Sequence, residues 1–356
     1  MTSDSRLDDA LLWMCSIPSP IGEERALCDA VEARMRLRSF GPNVRRHGDS
    51  IVVPVVKRGR RPHVVLAGHL DTVRAENGPA RIDGDRCFGS GASDMKSGLA
   101  VMIAVAEELG AAIHCDLTLV FYSREEGPYA ENELGLVLER EPELAKSDIV
   151  VCLEPSDNEL HLGCVGSIHA TVTFQGTTSH SALPTRGDNA ITKASDFLAE
   201  MRVLEPSSAV IDGLTYWNVT SVTKAWDGGR GQNVIPDLFM LNINHRFAAD
   251  TSIDEACAFV RRLVGDRARV EFTDLSPAAA PGADNPLVRS LQSYGVRGVF
   301  PKQAWTDVAR FAALGVPAVN FGPGEIAQAH CKNESTSLAL VHEGYGIVAR
   351  WLMSLA

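Results

Sequence analysis

The feature that most constrains this sequence is an alternation of short apolar runs with helix-like patterns in its first half. Strand-like runs cover residues 51–56, 63–68, 117–122 and 149–153. An almost wholly apolar helical stretch covers residues 95–109. Strands and helices that alternate in this way build an α/β domain around a central sheet. Because residues 95–109 are apolar on all sides, we expect that helix to be buried.

A second region with a different pattern follows. Strand-like runs there cover residues 168–174 and 238–247, and helical patterns cover residues 188–201 and 253–264. Residues 276–285 are rich in proline, glycine and alanine, which is typical of a connector. A length of 356 residues also suits two domains better than one. We therefore predict an inserted α/β unit over residues 168–280 and a first domain built from residues 1–167 and 281–356.

Composition and charge exclude several classes of partner. A formal net charge of -11 argues against a nucleic-acid partner. The N-terminal residues lack the basic start and apolar block of a signal peptide, and the longest apolar-rich stretch, residues 99–109, is too short to cross a bilayer. The eight cysteines are scattered singly, which is typical of reduced thiols. We expect a cytoplasmic protein that acts on a small molecule, with no nucleic-acid or membrane partner.

Five segments place a metal-binding type of side chain at the end of a strand-like run or in a loop. These side chains are His69, Asp94, Glu126, Glu154 and His330. In the first segment, the H-x-D spacing directs His69 and Asp71 to the same side of an extended chain. We expect His69 to bind a metal ion while Asp71 accepts the other ring N–H. A strand-end histidine that is merely hydrogen-bonded is the ordinary alternative.

The carboxylates among these residues also have ordinary alternatives. Asp94 precedes the apolar helix, so it could be a helix N-cap. Glu125 and Glu126 are adjacent and repel each other, which favours a nearby cation, although a solvated loop would also accommodate them. Glu154 ends a run apolar enough to be buried, so it needs a partner. The coincidence of all five segments favours a metal site.

Together the five residues supply the ligands for two ions of the zinc type. We predict that Asp94 bridges the ions, that His69 and Glu154 complete one site, and that Glu126 and His330 complete the other. Cobalt or manganese would suit these ligands as well.

Glu125 is left beside a ligand without being needed as one, so we predict that it is the general base. A binding or regulatory protein of the same fold would have no use for such a base, and a structural protein would bind no metal.

These segments resemble the co-catalytic zinc amidohydrolases, which include succinyl-diaminopimelate desuccinylases, acetylornithine deacetylases, aminoacylases and certain carboxypeptidases. The resemblance covers nearly the whole chain and includes G-H-L-D-T-V, G-x-x-D-M-K-S-G, the Glu125–Glu126 pair, L-E-P-S and residues 174–191. Residues 211–216, 233–237, 244–250 and 305–324 look most like a short-chain branch of the desuccinylases. The resemblance implies cleavage of N-succinyl-LL-2,6-diaminopimelate to succinate and LL-2,6-diaminopimelate, in lysine and diaminopimelate synthesis. Acetylornithine deacetylase, aminoacylase and dipeptidase activities are the alternatives.

The resemblance also implies a fold and further site residues. The fold is a zinc-peptidase-like α/β catalytic domain with an inserted α/β, ferredoxin-like domain that forms a homodimer. A histidine at the position of His180 would reach the partner's active site and stabilise the oxyanion. Asn233 and Arg246 would hold substrate carboxylates, a task that suits a planar guanidinium. Without the resemblance, a structural salt bridge would be the better interpretation of Arg246.

Three residues depart from the pattern of the desuccinylases. Val165 and Ser90 stand where arginine is common, and Cys331 follows His330 where lysine is common. The first two departures remove positive charge from places that could contact an anionic substrate.

Overall fold

The structure, a computed structural model, describes residues 3–59, 62–75, 77–229 and 231–355. Its α-helices are α1 (Ser3–Cys15), α2 (Arg25–Arg36), α3 (Lys96–Ala104), α4 (Leu134–Arg140), α5 (Ala190–Lys193), α6 (Ser195–Val203), α7 (Ile253–Val264), α8 (Pro286–Gln292), α9 (Val308–Ala313) and α10 (Leu338–Ser354). The first strands are β1 (Arg45–His47), β2 (Ser50–Val56), β3 (His63–His69), β4 (Arg81–Asp83), β5 (Arg86–Phe88), β6 (Asp116–Tyr122), β7 (Ile149–Cys152), β8 (Leu160–Leu162) and β9 (Gly166–Gln175). The others are β10 (Ser179–His180), β11 (Ser207–Ile211), β12 (Leu214–Asp227), β13 (Val234–Ile235), β14 (Leu238–Phe247), β15 (Arg269–Ser276), β16 (Val299–Pro301), β17 (Ala318–Asn320) and β18 (Ser335–Ser337).

The chain divides into two compact units. Unit 1 consists of Met1–Gly163, Pro281–Lys302 and Thr306–Ala356, and unit 2 consists of Cys164–Ala280 and Gln303–Trp305. Within the described residues, no helix is both long enough and apolar enough to span a membrane.

Unit 1 is built on an eight-stranded sheet in the order β1-β2-β6-β3-β7-β17-β8-β16. At its centre, β3 pairs in parallel with β6 and β7, and β7 pairs in parallel with β17. These strands are continuous apolar runs, as expected for a parallel sheet covered on both faces. The predicted α/β class with a central sheet is confirmed.

The topology of this sheet brings several loops to one edge. Because β3, β6 and β7 are parallel neighbours, their carboxyl ends lie side by side. His69 is the last residue of β3, Glu125 follows β6 by three residues, and Glu154 follows β7 by two. The loops that carry these side chains therefore meet at the carboxyl edge of the sheet.

The apolar helix predicted over residues 95–109 is buried, and it is shorter than predicted. Every residue of α3 is buried, and the chain continues as a π-helical turn over Val105–Leu109. The helix begins two residues after Asp94, so the buried helix anchors the loop that holds this carboxylate.

Unit 2 contains a five-stranded antiparallel sheet in the order β11-β12-β14-β9-β15. Leaving aside the edge strand β11, the short strands β10 and β13 and the short helix α5, the chain runs β9, α6, β12, β14, α7, β15, which is the βαββαβ order of a ferredoxin-like fold. Phe174, Phe197, Leu241 and Ile243 form part of the core between the sheet and its helices. The predicted strand over residues 238–247 and helix over residues 253–264 coincide with β14 and α7.

Candidate metal centre

His69 lies at the carboxyl end of β3 with its side chain buried. Its Nδ1 lies 2.9 Å from the main-chain oxygen of Asp71, and its Nε2 lies 3.2 Å from Oδ1 of Asp94. A carbonyl oxygen can only accept, so Nδ1 carries a proton and Nε2 is the atom turned toward the carboxylates. Although burial opposes it, the hydrogen bond to Asp94 and the charge of Asp71 raise the pKa of His69. The same negative surroundings would attract a metal cation.

Asp71 has a different contact from the one predicted. Its carboxylate lies 3.7 Å from Nδ1 of His69, and the main-chain oxygen accepts the ring N–H in its place. The two carboxylate oxygens accept the main-chain N–H groups of Glu125 at 3.1 Å and Glu126 at 2.9 Å. Asp71 is fully buried. Its side chain therefore orients the loop that carries the two glutamates.

Asp94 lies between the two histidines. Its Oδ1 is 3.2 Å from Nε2 of His69, and its Oδ2 is 3.5 Å from Nε2 of His330. Although burial opposes it, the hydrogen bonds of His330 and His69 lower the pKa of Asp94. Asp94 does not cap α3, because Met95 is the N-cap residue and no side chain caps the helix. The two oxygens of Asp94 therefore face two different imidazoles, one on each side.

The second histidine lies close to a second carboxylate. Nε2 of His330 is 2.9 Å from Oε1 of Glu126. Hydrogen bonds to Asp94 and Glu126 raise the pKa of His330 to about 10. Potential ligand atoms of Asp94, Glu126 and His330 all lie within 4.8 Å of one another.

Glu154 provides an independent test of whether these residues fit a metal ion. It is 5% exposed, and its Oε1 has no hydrogen-bond partner among the described residues. Burial raises the pKa of Glu154 to about 7. Potential ligand atoms of His69, Asp94 and Glu154 lie within 4.8 Å of one another. A buried carboxylate oxygen without a donor is costly, and a cation among these groups would remove that cost.

Glu125 is partly buried beside both groups of ligands. It lies within 4.8 Å of His69 and Glu126, measured between potential ligand atoms. Burial and the neighbouring Glu154 carboxylate raise the pKa of Glu125.

Unit 2 holds the other three residues identified in the sequence. His180 on β10 pairs with Val234 on β13, directly after Asn233, and both His180 and Asn233 are exposed. Arg246 lies on β14, where its Nε donates to Oδ1 of Asn244 at 2.9 Å. The structure thus places His180 in the two-stranded sheet and Asn233 directly before its second strand, while Arg246 lies on the five-stranded sheet.

The sequence analysis missed one buried carboxylate near the site. Glu334 lies four residues after His330, and its carboxylate accepts N–H groups of the loop that carries Asp94. The only signal in the sequence was the proximity of Glu334 to a histidine in the same segment. Nothing local indicates that this carboxylate contacts a loop 240 residues earlier.

Comparison with known proteins identifies the family of the chain. Residues 65–354 match the model of peptidase family M20/M25/M40. The chain is 38% identical over 341 residues to a Mycobacterium tuberculosis protein provisionally named succinyl-diaminopimelate desuccinylase, covering 95% of this chain and 96% of the relative. It is 33% identical over 348 residues to the succinyl-diaminopimelate desuccinylase of Corynebacterium glutamicum, covering 95% and 94% of the two chains.

Solved structures share the fold at much lower identity. An M20 family metallo-carboxypeptidase from Sulfolobus solfataricus aligns with a TM-score of 0.81 at 15% identity, covering 99% of both chains. A dinuclear metal-binding peptidase of the M20 family from Bacillus subtilis aligns with a TM-score of 0.69 at 13% identity, covering 99% of this chain and 97% of the other.

Proposed function

Because the chain belongs to peptidase family M20/M25/M40, we propose that it is a metal-dependent amide hydrolase that cleaves N-succinyl-LL-2,6-diaminopimelate to succinate and LL-2,6-diaminopimelate. The observation that carries this proposal is the cluster of two histidines and four carboxylates at the carboxyl edge of the sheet in unit 1. The names of the relatives at 38% and 33% identity support the substrate. The reaction would serve lysine and diaminopimelate synthesis, and we place it in the cytoplasm.

The donor set supports two divalent ions. His69, Asp94 and Glu154 would hold one ion, and Asp94, Glu126 and His330 would hold the other. Imidazole and carboxylate donors suit zinc, and they also accept cobalt or manganese. When bound, such ions polarise an amide carbonyl and lower the pKa of water toward about 7.

Glu125 is the proposed general base. It takes a proton from the attacking water and then delivers it to the leaving amine. The hydrogen bond from its main-chain N–H to Asp71 holds it beside the ligands.

The roles of the residues in unit 2 rest on the family. We propose that residues 168–280 form a dimerisation domain that closes over the site, and that His180 stabilises the oxyanion in the active site of the partner. Asn233 and Arg246 would bind substrate carboxylates. The fork of a guanidinium matches a carboxylate, and the bond from Nε of Arg246 to Asn244 limits how that fork can turn.

The substrate is tested by direct comparison. Metal-reconstituted protein is assayed with N-succinyl-LL-2,6-diaminopimelate, N-acetylornithine and a panel of dipeptides at one concentration. We expect the succinyl substrate to be preferred. If another acyl amino acid or a dipeptide is cleaved in its place, the proposed amide hydrolase activity is correct and the proposed substrate is wrong.

The base is tested by replacing Glu125 with Gln, which keeps its size and removes its proton-accepting charge. We expect kcat to fall about a hundredfold to ten-thousandfold with both metal ions still bound. Glu131→Gln, at an exposed carboxylate that follows in the same chain segment, is the matched control. Near-normal turnover by Glu125→Gln with full metal content would show that Glu125 is not the base.

A further inference from the structure

Glu334 is a buried carboxylate that belongs to neither group of metal ligands. Its side chain is 2% exposed. Oε1 accepts the main-chain N–H groups of Ser93 at 2.9 Å and Asp94 at 2.8 Å, and Oε2 accepts the N–H of Gly91 at 2.8 Å. Three donors from one loop thus converge on a single carboxylate.

Further contacts attach the segment of Glu334 to the loop of Asp94 and to Asn77. The main-chain oxygen of Glu334 accepts the N–H of Gly89 at 3.0 Å, and its N–H donates to Oδ1 of Asn77 at 2.8 Å. The hydroxyl of Ser93 donates to the main-chain oxygen of Glu325 at 2.8 Å. The segment that carries His330 therefore lies along the whole loop that carries Asp94.

A carboxylate suits this position better than a neutral side chain does. The loop bends through Gly91, whose φ of +76° few other residues adopt, and three of its N–H groups turn inward onto the buried Glu334 carboxylate. Buried N–H groups without acceptors destabilise a fold, and hydrogen bonds to a charged acceptor are stronger than neutral ones.

We propose that Glu334 is a positioning residue for the metal centre. By holding the main chain at Asp94, it keeps the two oxygens of that carboxylate facing His69 and His330 before any metal ion binds. Because Glu334 belongs to the segment of His330, the same contacts also set the position of the second histidine. The inference rests on the proposed function only in taking these residues as the metal site.

The test measures metal binding directly. Zn²⁺ is titrated calorimetrically into chelator-treated wild-type protein, Glu334→Ala and Glu334→Gln, and the visible absorption of bound Co²⁺ reports the ligand geometry. We expect about 10-fold to 100-fold weaker binding and an altered Co²⁺ spectrum for Glu334→Ala, the range typical when a group that orients a ligand is removed. Glu334→Gln should weaken binding less, because its amide oxygen still faces Ser93 and Asp94.

The matched control is Glu141→Gln. Glu141 is 3% exposed in the same unit and pairs with Arg45, away from the metal ligands. This variant should lose stability and keep the metal affinity of the wild type. Hydrogen exchange at residues 89–95 should become faster in the Glu334 variants alone.

Wild-type affinity and an unchanged Co²⁺ spectrum in Glu334→Ala would overturn the inference and leave the proposed function intact. If Glu334→Ala does not fold, wild-type affinity and an unchanged Co²⁺ spectrum in Glu334→Gln would overturn the inference in the same way. Absence of metal binding by the wild-type protein would contradict the proposed function itself.

Discussion

Asp71 holds the main chain of the residue that we propose as the general base. Its two oxygens accept the N–H groups of Glu125, the proposed base, and Glu126, a proposed metal ligand. A single buried carboxylate therefore sets the distance between the proton acceptor and the metal site. Glu334 makes the equivalent contacts with the loop of Asp94. Asp71 and Glu334 thus each bind main-chain N–H groups, while the residues that they position are the ones proposed to bind metal or transfer a proton.

Replacing Asp71 with Asn tests whether this residue positions Glu125. In the wild-type protein, both oxygens of Asp71 accept main-chain N–H groups of Glu125 and Glu126. In the Asn variant an NH2 donor faces one of these N–H groups, so the loop of Glu125 should shift. We expect kcat to fall about 10-fold to 100-fold, the typical cost of losing such an orienting contact. Steady-state kinetics with metal analysis measures the effect.

A double-mutant cycle shows whether Asp71 acts through Glu125. In the Glu125→Gln background, Asp71→Asn should reduce kcat much less than it does in the wild-type protein. An equal further loss in that background would mean that Asp71 acts independently of the base.

At the scale of elements, helix α3 approaches the strand end that carries Glu154 unusually closely. A Cβ at Gly98 would lie 2.2 Å from the main-chain oxygen of Leu153. Only glycine permits this approach, and it places the start of the helix, just after Asp94, near Glu154. The spacing of two proposed ligands, Asp94 and Glu154, thus depends on a glycine that contacts neither of them through a side chain.

Gly98→Ala should therefore push α3 and β7 apart. We expect unfolding to become easier by about 1–3 kcal/mol, the usual cost of overpacking a core, together with weaker zinc binding. Urea unfolding and zinc titration measure the two effects. The control is Gly346→Ala in α10, where the nearest atom belongs to the flexible Arg350 side chain. That change should leave stability unchanged or raise it by about 0.5–1 kcal/mol.

The contact between β14 and α7 makes unit 2 sensitive to pH. His245 on β14 is 5% exposed, and its ring stacks on Phe259 of α7 with centroids 4.7 Å apart. Burial lowers the pKa of His245 to about 4. An unfolded histidine titrates near 6.5, so between these values the unfolded chain binds the extra proton. Stability is therefore lost as the pH falls from about 6.5 toward 4.

We expect the unfolding free energy of unit 2 to drop by about 2 kcal/mol between pH 7.5 and pH 5. Urea-dependent hydrogen exchange of β14 peptides in the full chain measures it. His245→Phe should flatten this dependence, because the ring still stacks and no longer titrates. The control is His114→Gln, at an exposed histidine. This variant should keep the pH dependence of the wild type. An unchanged pH dependence in His245→Phe would contradict the assignment.

At the scale of the whole molecule, the proposed metal ligands all belong to unit 1, and unit 2 has hydrophobic clusters of its own. A metal ion that binds only the folded state stabilises it, by about 2.7 kcal/mol at a hundred times the dissociation constant. Zinc should thus slow hydrogen exchange in β3 and leave exchange in β14 unchanged, relative to chelator-treated protein. Equal protection of both strands, or of neither, would contradict a site confined to unit 1.

The local sequence pattern was enough to predict many of the helices and strands. The apolar runs of β3, β6 and β7 and the amphipathic period of α7 are properties of neighbouring residues, so they could be predicted without a structure. The helix predicted over residues 188–201 is divided at Ala194 into α5 and α6. Strand β12 was missed, because Tyr216 is its only buried residue and its apolar pattern is therefore weak.

The sequence by itself was enough to propose which side chains bind metal, because His69, Glu126 and Glu154 end or follow apolar runs that form parallel strands, and the loops after such strands meet at one edge of a sheet. Only the tertiary structure decided what holds them there. The contact of Asp71 with Glu125 joins residues 54 positions apart, and that of Glu334 with Asp94 joins residues 240 positions apart. No local pattern encodes such contacts, because they exist only once packing has buried both partners away from water.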